Sequence, residues 1–250
     1  LRFSFTETVI LSDTPIAEQI ICAVDLGINT DAVCSIMKAD GTILARKFID
    51  FTSDKDRMIH AMNRTRRKQS KYGPKSTRGL WAYVKRLNED RAKKISAAIV
   101  EFASQHSVDA IVMEHLDFKG CKKRGSKAQR LSMWNHGIIR EKVEQKAHLL
   151  GIRIATICAW KTSALAFDGS GSVTRDDNNH ALATFTTGKQ YNCDLSASYN
   201  IGARYFIREL LKSLPATEES RVKAKVPDAG RRTSCTLSTL RALVKELSAA

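Results

Sequence analysis

Short apolar runs rich in β-branched residues alternate with turn residues at the start of the chain. They cover 20–24, 32–37 and 43–49, and Asp40-Gly41 between the last two is typical of a hairpin turn. We therefore predict three consecutive strands joined by tight connections.

A helical pattern follows from Asp54 to about Gln105, where apolar residues recur at spacings of three and four. Tyr72-Gly73-Pro74 divides this region into two helices, because proline cannot continue a helix.

The second half of the chain predicts two more strands, each followed by a helix or an insertion. In chain order these are a strand at 108–113, a helix at 131–150, a strand at 152–158 and a helix at 194–214. The polar segment 162–191 is either an ordered insertion or a mobile loop. A charged linker at 216–233 and a short helix at 237–247 complete the predicted elements.

This order of elements predicts the α/β class. Three strands followed by alternating helices and strands require a mixed sheet with helices packed on its faces. The connectivity matches an RNase H-like fold with a mixed five-stranded sheet.

Charge points to a polyanionic partner. The 250 residues include 41 Lys and Arg against 26 Asp and Glu, a formal net charge of +15. Nucleic acid is the commonest partner of so basic a chain, with an anionic membrane surface second.

The 43% apolar content excludes wholesale disorder. Because no apolar run approaches the roughly 18 to 20 residues of a membrane-spanning helix, we expect no membrane partner and a cytoplasmic location.

The basic residues concentrate in two groups. The first surrounds the predicted helix break and comprises Arg64, Arg66, Arg67, Lys68 and Lys71, with Lys75 and Arg78 beyond them. The second follows Glu114 and comprises Lys119, Lys122, Lys123, Arg124, Lys127 and Arg130. Both predict phosphate contacts, which give affinity and salt dependence rather than sequence choice. A solvated charged face is the alternative for each group.

Three acidic residues, Asp25, Glu114 and Asp194, stand where predicted strands end or a helix begins. A carboxylate that ends an apolar strand is costly to desolvate unless a cation offsets the cost. If the strands are neighbours, the carboxylates converge on a hard oxygen site suited to Mg²⁺ or Mn²⁺, and two such ions would support phosphodiester hydrolysis. Each acid alone is equally consistent with an ordinary strand-end or helix-start residue, and Asp31 or Asp117 could replace one of them.

Three segments resemble, in order, the motifs of one family. They are Ala23-Val-Asp25-Leu-Gly27-Ile-Asn, Ile111-Val-Met-Glu114-His-Leu-Asp-Phe-Lys-Gly120 and Asp194-Leu-Ser-Ala-Ser-Tyr-Asn200-Ile201. The family is the RuvC-type nuclease domain of TnpB/OrfB-type transposon-encoded RNA-guided nucleases and of compact type V CRISPR effectors. The similarity covers about Ile20 to Leu211, although Ser196 and Ser198 depart from the third motif.

The resemblance implies an RNA-guided DNA endonuclease with Asp25, Glu114 and Asp194 as catalytic metal ligands. DNA is then the substrate, and a guide RNA is the partner of an N-terminal region that is missing here. Residues 1–19 would be the tail of that region, with at most its last strand. The nuclease domain would comprise 20–161 and 192–214, with a target-nucleic-acid-binding insert at 162–191 and a basic linker and helix at 215–250.

The cysteine pattern departs from the family. Two zinc-binding Cys-x-x-Cys pairs normally precede the last aspartate, but the corresponding segments here are Ala166-Phe-Asp-Gly169 and Thr187-Gly-Lys-Gln190. Without paired thiolates a four-cysteine zinc site cannot form, so we expect no structural zinc. The six cysteines lie far apart, which argues against a disulfide framework.

Two alternatives remain open. A catalytically silent RNA-guided or plain DNA-binding protein would share these motifs. Asp25-Leu-Gly27 also resembles the first phosphate loop of actin-like ATPases and kinases, although the second phosphate loop and the adenosine motif are not found. A stand-alone Holliday-junction resolvase ranks behind both.

Overall fold

A mixed five-stranded sheet forms the centre of the molecule. The computed structural model describes residues 6–116, 134–176, 179 and 181–249. The strands are β1 (Ile20–Asp25), β2 (Ala32–Lys38), β3 (Ile43–Ile49), β4 (Ala110–His115) and β5 (Arg153–Cys158). Their order is β3-β2-β1-β4-β5. The first three strands pair antiparallel, whereas β4 is parallel to both β1 and β5. The predicted α/β class and RNase H-like order are confirmed.

Helices cover both faces of this sheet. They are α1 (Thr52–Tyr72), α2 (Arg78–Gln105), α3 (His136–Leu149), α4 (Cys193–Ser213), α5 (Ala216–Lys225) and α6 (Leu237–Ser248). A short 3₁₀ turn at Pro74–Thr77 separates α1 from α2, as Tyr72-Gly73-Pro74 predicts. The segment 216–233 is not only a linker, because it contains α5 and a second 3₁₀ turn at Pro227–Gly230.

Alternation along the strands divides the core into two layers. In β1, Cys22 and Val24 pack with α2 and α3, whereas Ile21 and Ala23 pack with α4 and α6. The same alternation in β4 sends Val112 toward α4. Side chains of every second residue share a face of a sheet, so the parity of a position decides which helix it meets.

A close approach between α4 and the sheet depends on Gly202. A Cβ atom there would lie 2.9 Å from Cε of Met37 and 3.2 Å from Cβ of Ala23. The missing side chain therefore lets α4 lie against β1 and β2, which brings the start of the helix to the ends of the strands.

The segment 162–191 contains a second, small sheet. Strands β6 (Thr174–Arg175), β7 (Leu182–Thr184) and β8 (Gln190–Asn192) pair antiparallel, so its described part is an ordered insertion and not a loop. Phe167 packs against its core, with ring centroids 4.9 Å from Tyr191 and 5.6 Å from Phe185.

The segment that precedes β1 contains no strand within residues 6–19. It is tied to the far end of the sheet instead, because the hydroxyl groups of Ser12 and Thr14 both donate to the Asp109 carboxylate, at 2.6 and 2.5 Å. The possible strand in 1–19 is therefore wrong for the described part. None of the described helices is long and apolar enough to cross a bilayer.

Candidate functional site

Two of the predicted acids lie side by side where β1 and β4 end. The parallel register pairs Val24 with Met113, and Asp25 and Glu114 are the next residues of the two strands. By the alternation described above, both carboxylates belong to the face covered by α4. His115, the following residue, belongs to the opposite face, as the alternation of a strand predicts.

The third acid reaches the same place from the first turn of α4. Asn192 caps this helix, because its side-chain oxygen accepts a hydrogen bond from the backbone N–H of Leu195 at 2.9 Å. Asp194 follows in the first turn, and the side chain of Thr30, from the loop after β1, lowers the pKa of its carboxyl. Gly27 shapes this loop, since a Cβ atom there would lie 2.4 Å from the Thr30 carbonyl oxygen.

The pKa values reflect how close the three carboxylates are. Burial raises the pKa of Asp25 well above its ordinary value, and the charges of Glu114 and Asp194 raise it further. Burial also raises the pKa of Glu114 and of Asp194. Adding negative charge to this pocket is therefore costly, which is the electrostatic condition that a bound cation relieves.

Thr162 holds the Glu114 carboxylate. Its hydroxyl donates to Oε1 of Glu114, which lowers the pKa of that carboxyl and opposes the effect of burial. Because a hydrogen bond to the ionised form favours that form, Thr162 opposes the protonation of Glu114 that burial favours.

Asn200 in turn holds the loop that carries Thr162. Its buried amide donates to the carbonyl oxygens of Thr162 and Leu165 at 3.0 and 2.9 Å, and its oxygen accepts from the N–H of Leu237 at 3.3 Å. Arg204, one turn further along α4, donates to the Cys158 and Trp160 carbonyl oxygens. The helix thus fixes the chain that follows β5.

Two arginines supply positive charge to the site. Arg204 lowers the pKa of Glu114, and its own pKa is lowered by burial. Arg175, at the end of β6 in the insert, lowers the pKa values of Asp25 and Asp194. The small sheet therefore brings a guanidinium group to the edge of the acidic pocket.

The donor chemistry fits a hard divalent cation. The three side chains offer only carboxylate oxygens, and no hydrogen bond from the described residues satisfies the Asp25 carboxylate. Among those residues, however, no group of three or more His, Cys, Asp or Glu side chains is packed closely enough to hold one ion. The residues at the family's zinc positions do not fit zinc, because Ala166–Gly169 and Thr187–Gln190 offer no thiolate.

The other acids considered from the sequence take no part in this pocket. Asp31 forms a buried ion pair with Arg91 on α2 and accepts a hydrogen bond from the N–H of Phe51 at 2.9 Å. It is therefore a structural link between β2 and the helices, and it cannot replace Asp25. Asp117 lies outside the described residues.

The first basic group forms an exposed face on α1. Arg64, Arg67, Lys68 and Lys71 line one shallow groove together with His60, Asn63 and Tyr72. Arg66 is exposed but does not line this groove. The start of α1 is joined to the loop after β1, because Nζ of Lys55 donates to the Asn29 carbonyl oxygen. The second basic group, from Lys119 to Arg130, lies outside the described residues.

Four residues that position or balance the acids were not predicted for these roles. They are Thr162, Arg175, Asn200 and Arg204. Asn200 stands in the third motif, which was its only signal. Arg175 lies in a segment without periodicity, and its place depends on long-range pairing.

Comparison with solved structures relates the fold to known proteins. Cas12f1 in its complex with sgRNA and target DNA superposes with a TM-score of 0.56 at 19% identity, over 76% of this chain and 51% of that one. A CRISPR-Cas12f ternary complex superposes with a TM-score of 0.51 at 17% identity, over 76% of this chain and 40% of that one. C2c1 of Alicyclobacillus acidoterrestris in complex with single-guide RNA superposes with a TM-score of 0.53 at 10% identity, over 76% of this chain and 39% of that one.

The chain therefore shares its fold with the superposed parts of Cas12f1, Cas12f and C2c1, which agrees with the RuvC-like fold that its motifs predict. It spans about half of the Cas12f1 chain and less of the others. No protein-family model and no curated protein sequence matches it. The likeness is thus one of structure at low sequence identity.

Proposed function

We propose that the chain is the nuclease domain of a metal-dependent, RNA-guided DNA endonuclease. The observation that carries this proposal is the convergence of Asp25, Glu114 and Asp194 from two parallel strands and a helix start. The proteins that share its fold include complexes with guide RNA and target DNA, which supports nucleic acid as the partner.

Asp25, Glu114 and Asp194 would hold Mg²⁺ or Mn²⁺. Two such cations supply an activated water and charge stabilisation for the leaving oxygen of a phosphodiester. Thr162 favours the ionised form of Glu114, and Arg204 holds the backbone two residues before Thr162. Arg175 is placed to balance the negative charge of a phosphate that enters beside the carboxylates.

The exposed basic face of α1 would hold the backbone of the nucleic acid. Its side chains contact phosphates and carry no sequence information, so base pairing with a guide strand would supply specificity. TnpB-like transposon origin and CRISPR origin are equally compatible with this arrangement.

A cleavage assay tests the proposal. The full-length protein, purified with its guide RNA, should cut matching DNA in Mg²⁺ or Mn²⁺ and not in EDTA. Asp25→Asn should reduce cleavage at least a thousandfold, whereas Asp56→Asn, at an exposed position on α1, should leave it unchanged. Equal cleavage by wild type and Asp25→Asn would refute the assignment.

A catalytically silent nucleic-acid-binding protein is the second candidate. It is favoured by the finding that the three carboxylates, within the described part of the chain, are not packed as a closed ligand cluster. Guide-dependent DNA binding without cleavage in any divalent metal would establish this alternative.

A further inference from the structure

Trp160 is an exposed aromatic residue in the loop after β5. Its side chain is among the most exposed large apolar groups of the protein, at 64% for the residue. The indole of Trp81 donates to Oε1 of Gln69 at 2.8 Å, and Trp134 lies against the His136 ring. The Trp160 indole, by contrast, makes no hydrogen bond or ring contact with the described residues.

The backbone beneath this side chain is held firmly. Arg204 donates to the Trp160 carbonyl oxygen at 2.8 Å and to that of Cys158 at 2.9 Å, and the Thr162 hydroxyl is 3.1 Å from the Ala159 carbonyl oxygen. Lys161 adopts a left-handed conformation, with φ of 61°. A non-glycine residue in this region is strained, and such strain persists where the surroundings impose it.

Trp160 lies close in the chain to a residue of the carboxylate site. It precedes Thr162 by two residues, so their Cα atoms lie within about 7 Å of each other. Thr162 donates to Glu114. The backbone that carries the Trp160 ring is therefore next to the residue that holds Glu114.

A basic cavity of about 310 Å³ adjoins the same loop. Cys158 and Arg204, which flank or hold the Trp160 backbone, line it. Its apolar wall is formed by Ile157, Ile207 and Leu211, and its charged lining comprises Arg208, Lys212, Lys223 and Arg232 with Glu219. Arg208 and Lys212 pair with Glu209 and Lys223 pairs with Glu219, so Arg204 and Arg232 supply the excess of positive charge. This excess suits an anionic ligand that also has an apolar part.

We infer that Trp160 is a stacking platform for a base of a single nucleic-acid strand, and that the adjoining cavity receives the neighbouring phosphate. This inference adds a substrate-binding residue to the nuclease proposed above. It rests on that proposal for the placing of the strand beside the carboxylates. Aromatic stacking accepts any base and needs an unpaired one, so the platform selects single-stranded over double-stranded nucleic acid. It would hold the strand in line with the carboxylates.

Binding without cleavage tests this inference. Anisotropy of a labelled oligothymidylate and of a duplex of equal length, both in EDTA, measures the affinity of the full chain for each. Trp160→Ala and Trp160→Leu should weaken single-strand binding at least tenfold, Trp160→Phe less than threefold, and duplex binding should change little. Phe48→Ala, an exposed aromatic position on β3, should leave both affinities unchanged.

The two variants without a ring are decisive. Single-strand affinity that is unchanged in Trp160→Ala, or retained in Trp160→Leu, would overturn the inference. If Trp160→Ala loses single-strand binding while the full-length protein with its guide RNA cuts nothing in Mg²⁺, the platform stands and the nuclease function fails. If metal-dependent cleavage is present and Trp160→Ala binds as wild type does, the platform fails and the nuclease function stands.

Discussion

Asp25 is the most deeply buried of the three carboxylates, and two further carboxylates face it. The burial of Asp25 lowers the stability of the fold, and its proposed role depends on the same burial. A site that binds a cation must keep a negative charge where folding alone would favour a neutral group. Thr162 also favours negative charge in this pocket, because its hydrogen bond lowers the pKa of Glu114 against the effect of burial.

Asp25→Asn should stabilise the protein in EDTA by about 1 kcal/mol, or about 2 to 4 °C in Tm, because it removes a buried charge next to two others. The raised pKa means that the folded chain holds this proton more tightly than the unfolded chain. The stability of the wild type therefore falls as pH rises from about 4 through the raised pKa. Thermal unfolding should give the largest gap between the two proteins near pH 7, closing toward pH 4. A constant gap would contradict the raised pKa.

Thr162→Val should raise the pKa of Glu114 further, because it removes the hydrogen bond to the carboxylate while keeping the side-chain shape. Cleavage at neutral pH should fall about tenfold, and the acidic limb of the pH–rate profile should move to higher pH. Thr162→Ser keeps the hydroxyl and should retain the wild-type profile. An unshifted profile in Thr162→Val would show that the hydroxyl does not act on Glu114.

At the scale of elements, α4 organises the site. Its first turn carries Asp194, Gly202 lets it approach the sheet, and Asn200 and Arg204 hold the chain after β5. A single helix thus couples one carboxylate to the loop that positions another.

Asn200→Ala should destabilise the protein by about 3 kcal/mol, because it leaves two buried carbonyl groups and one N–H without their partner. Urea unfolding measures this change. Asn63→Ala makes the same substitution at an exposed site on α1 and should cost less than about 0.5 kcal/mol. Comparable losses in both variants would contradict the bracing role of Asn200.

Local pattern was sufficient for the central sheet but not for the insert. Strands β1 and β4 have continuous apolar runs, so Asp25 and Glu114 could be placed at strand ends from the sequence alone. The strands of the insert have only two or three residues each. They are held by the packing of Phe167 against Tyr191 and Phe185, which no local periodicity reveals. Helix α5 was missed because charged residues dominate its sequence.

Across the whole molecule, the basic face of α1 is separate from the acidic pocket. The pocket lies at the ends of β1 and β4, and the basic face runs along α1 from a helix start that contacts the same loop region. A polyanion held on α1 would therefore extend toward the carboxylates.

The triple variant Arg64→Ala, Arg67→Ala and Lys71→Ala should weaken DNA binding and lower the slope of log K against log salt by about 2 to 3, roughly one unit for each phosphate that is no longer neutralised. Anisotropy titrations from low to physiological salt measure this slope. A single Arg66→Ala, outside the groove, should change the slope by less than about one unit. An unchanged slope in the triple variant would place the nucleic acid on another surface.

Manganese binding tests the central claim most directly, because it measures the three carboxylates as a metal site apart from any guide or substrate. Titration of the full chain followed by electron paramagnetic resonance of free Mn²⁺ should show binding that Asp25→Asn, Glu114→Gln and Asp194→Asn each weaken at least tenfold. Asp56→Asn should bind as the wild type does. Equal Mn²⁺ affinity in the wild type and all three site variants would contradict the account.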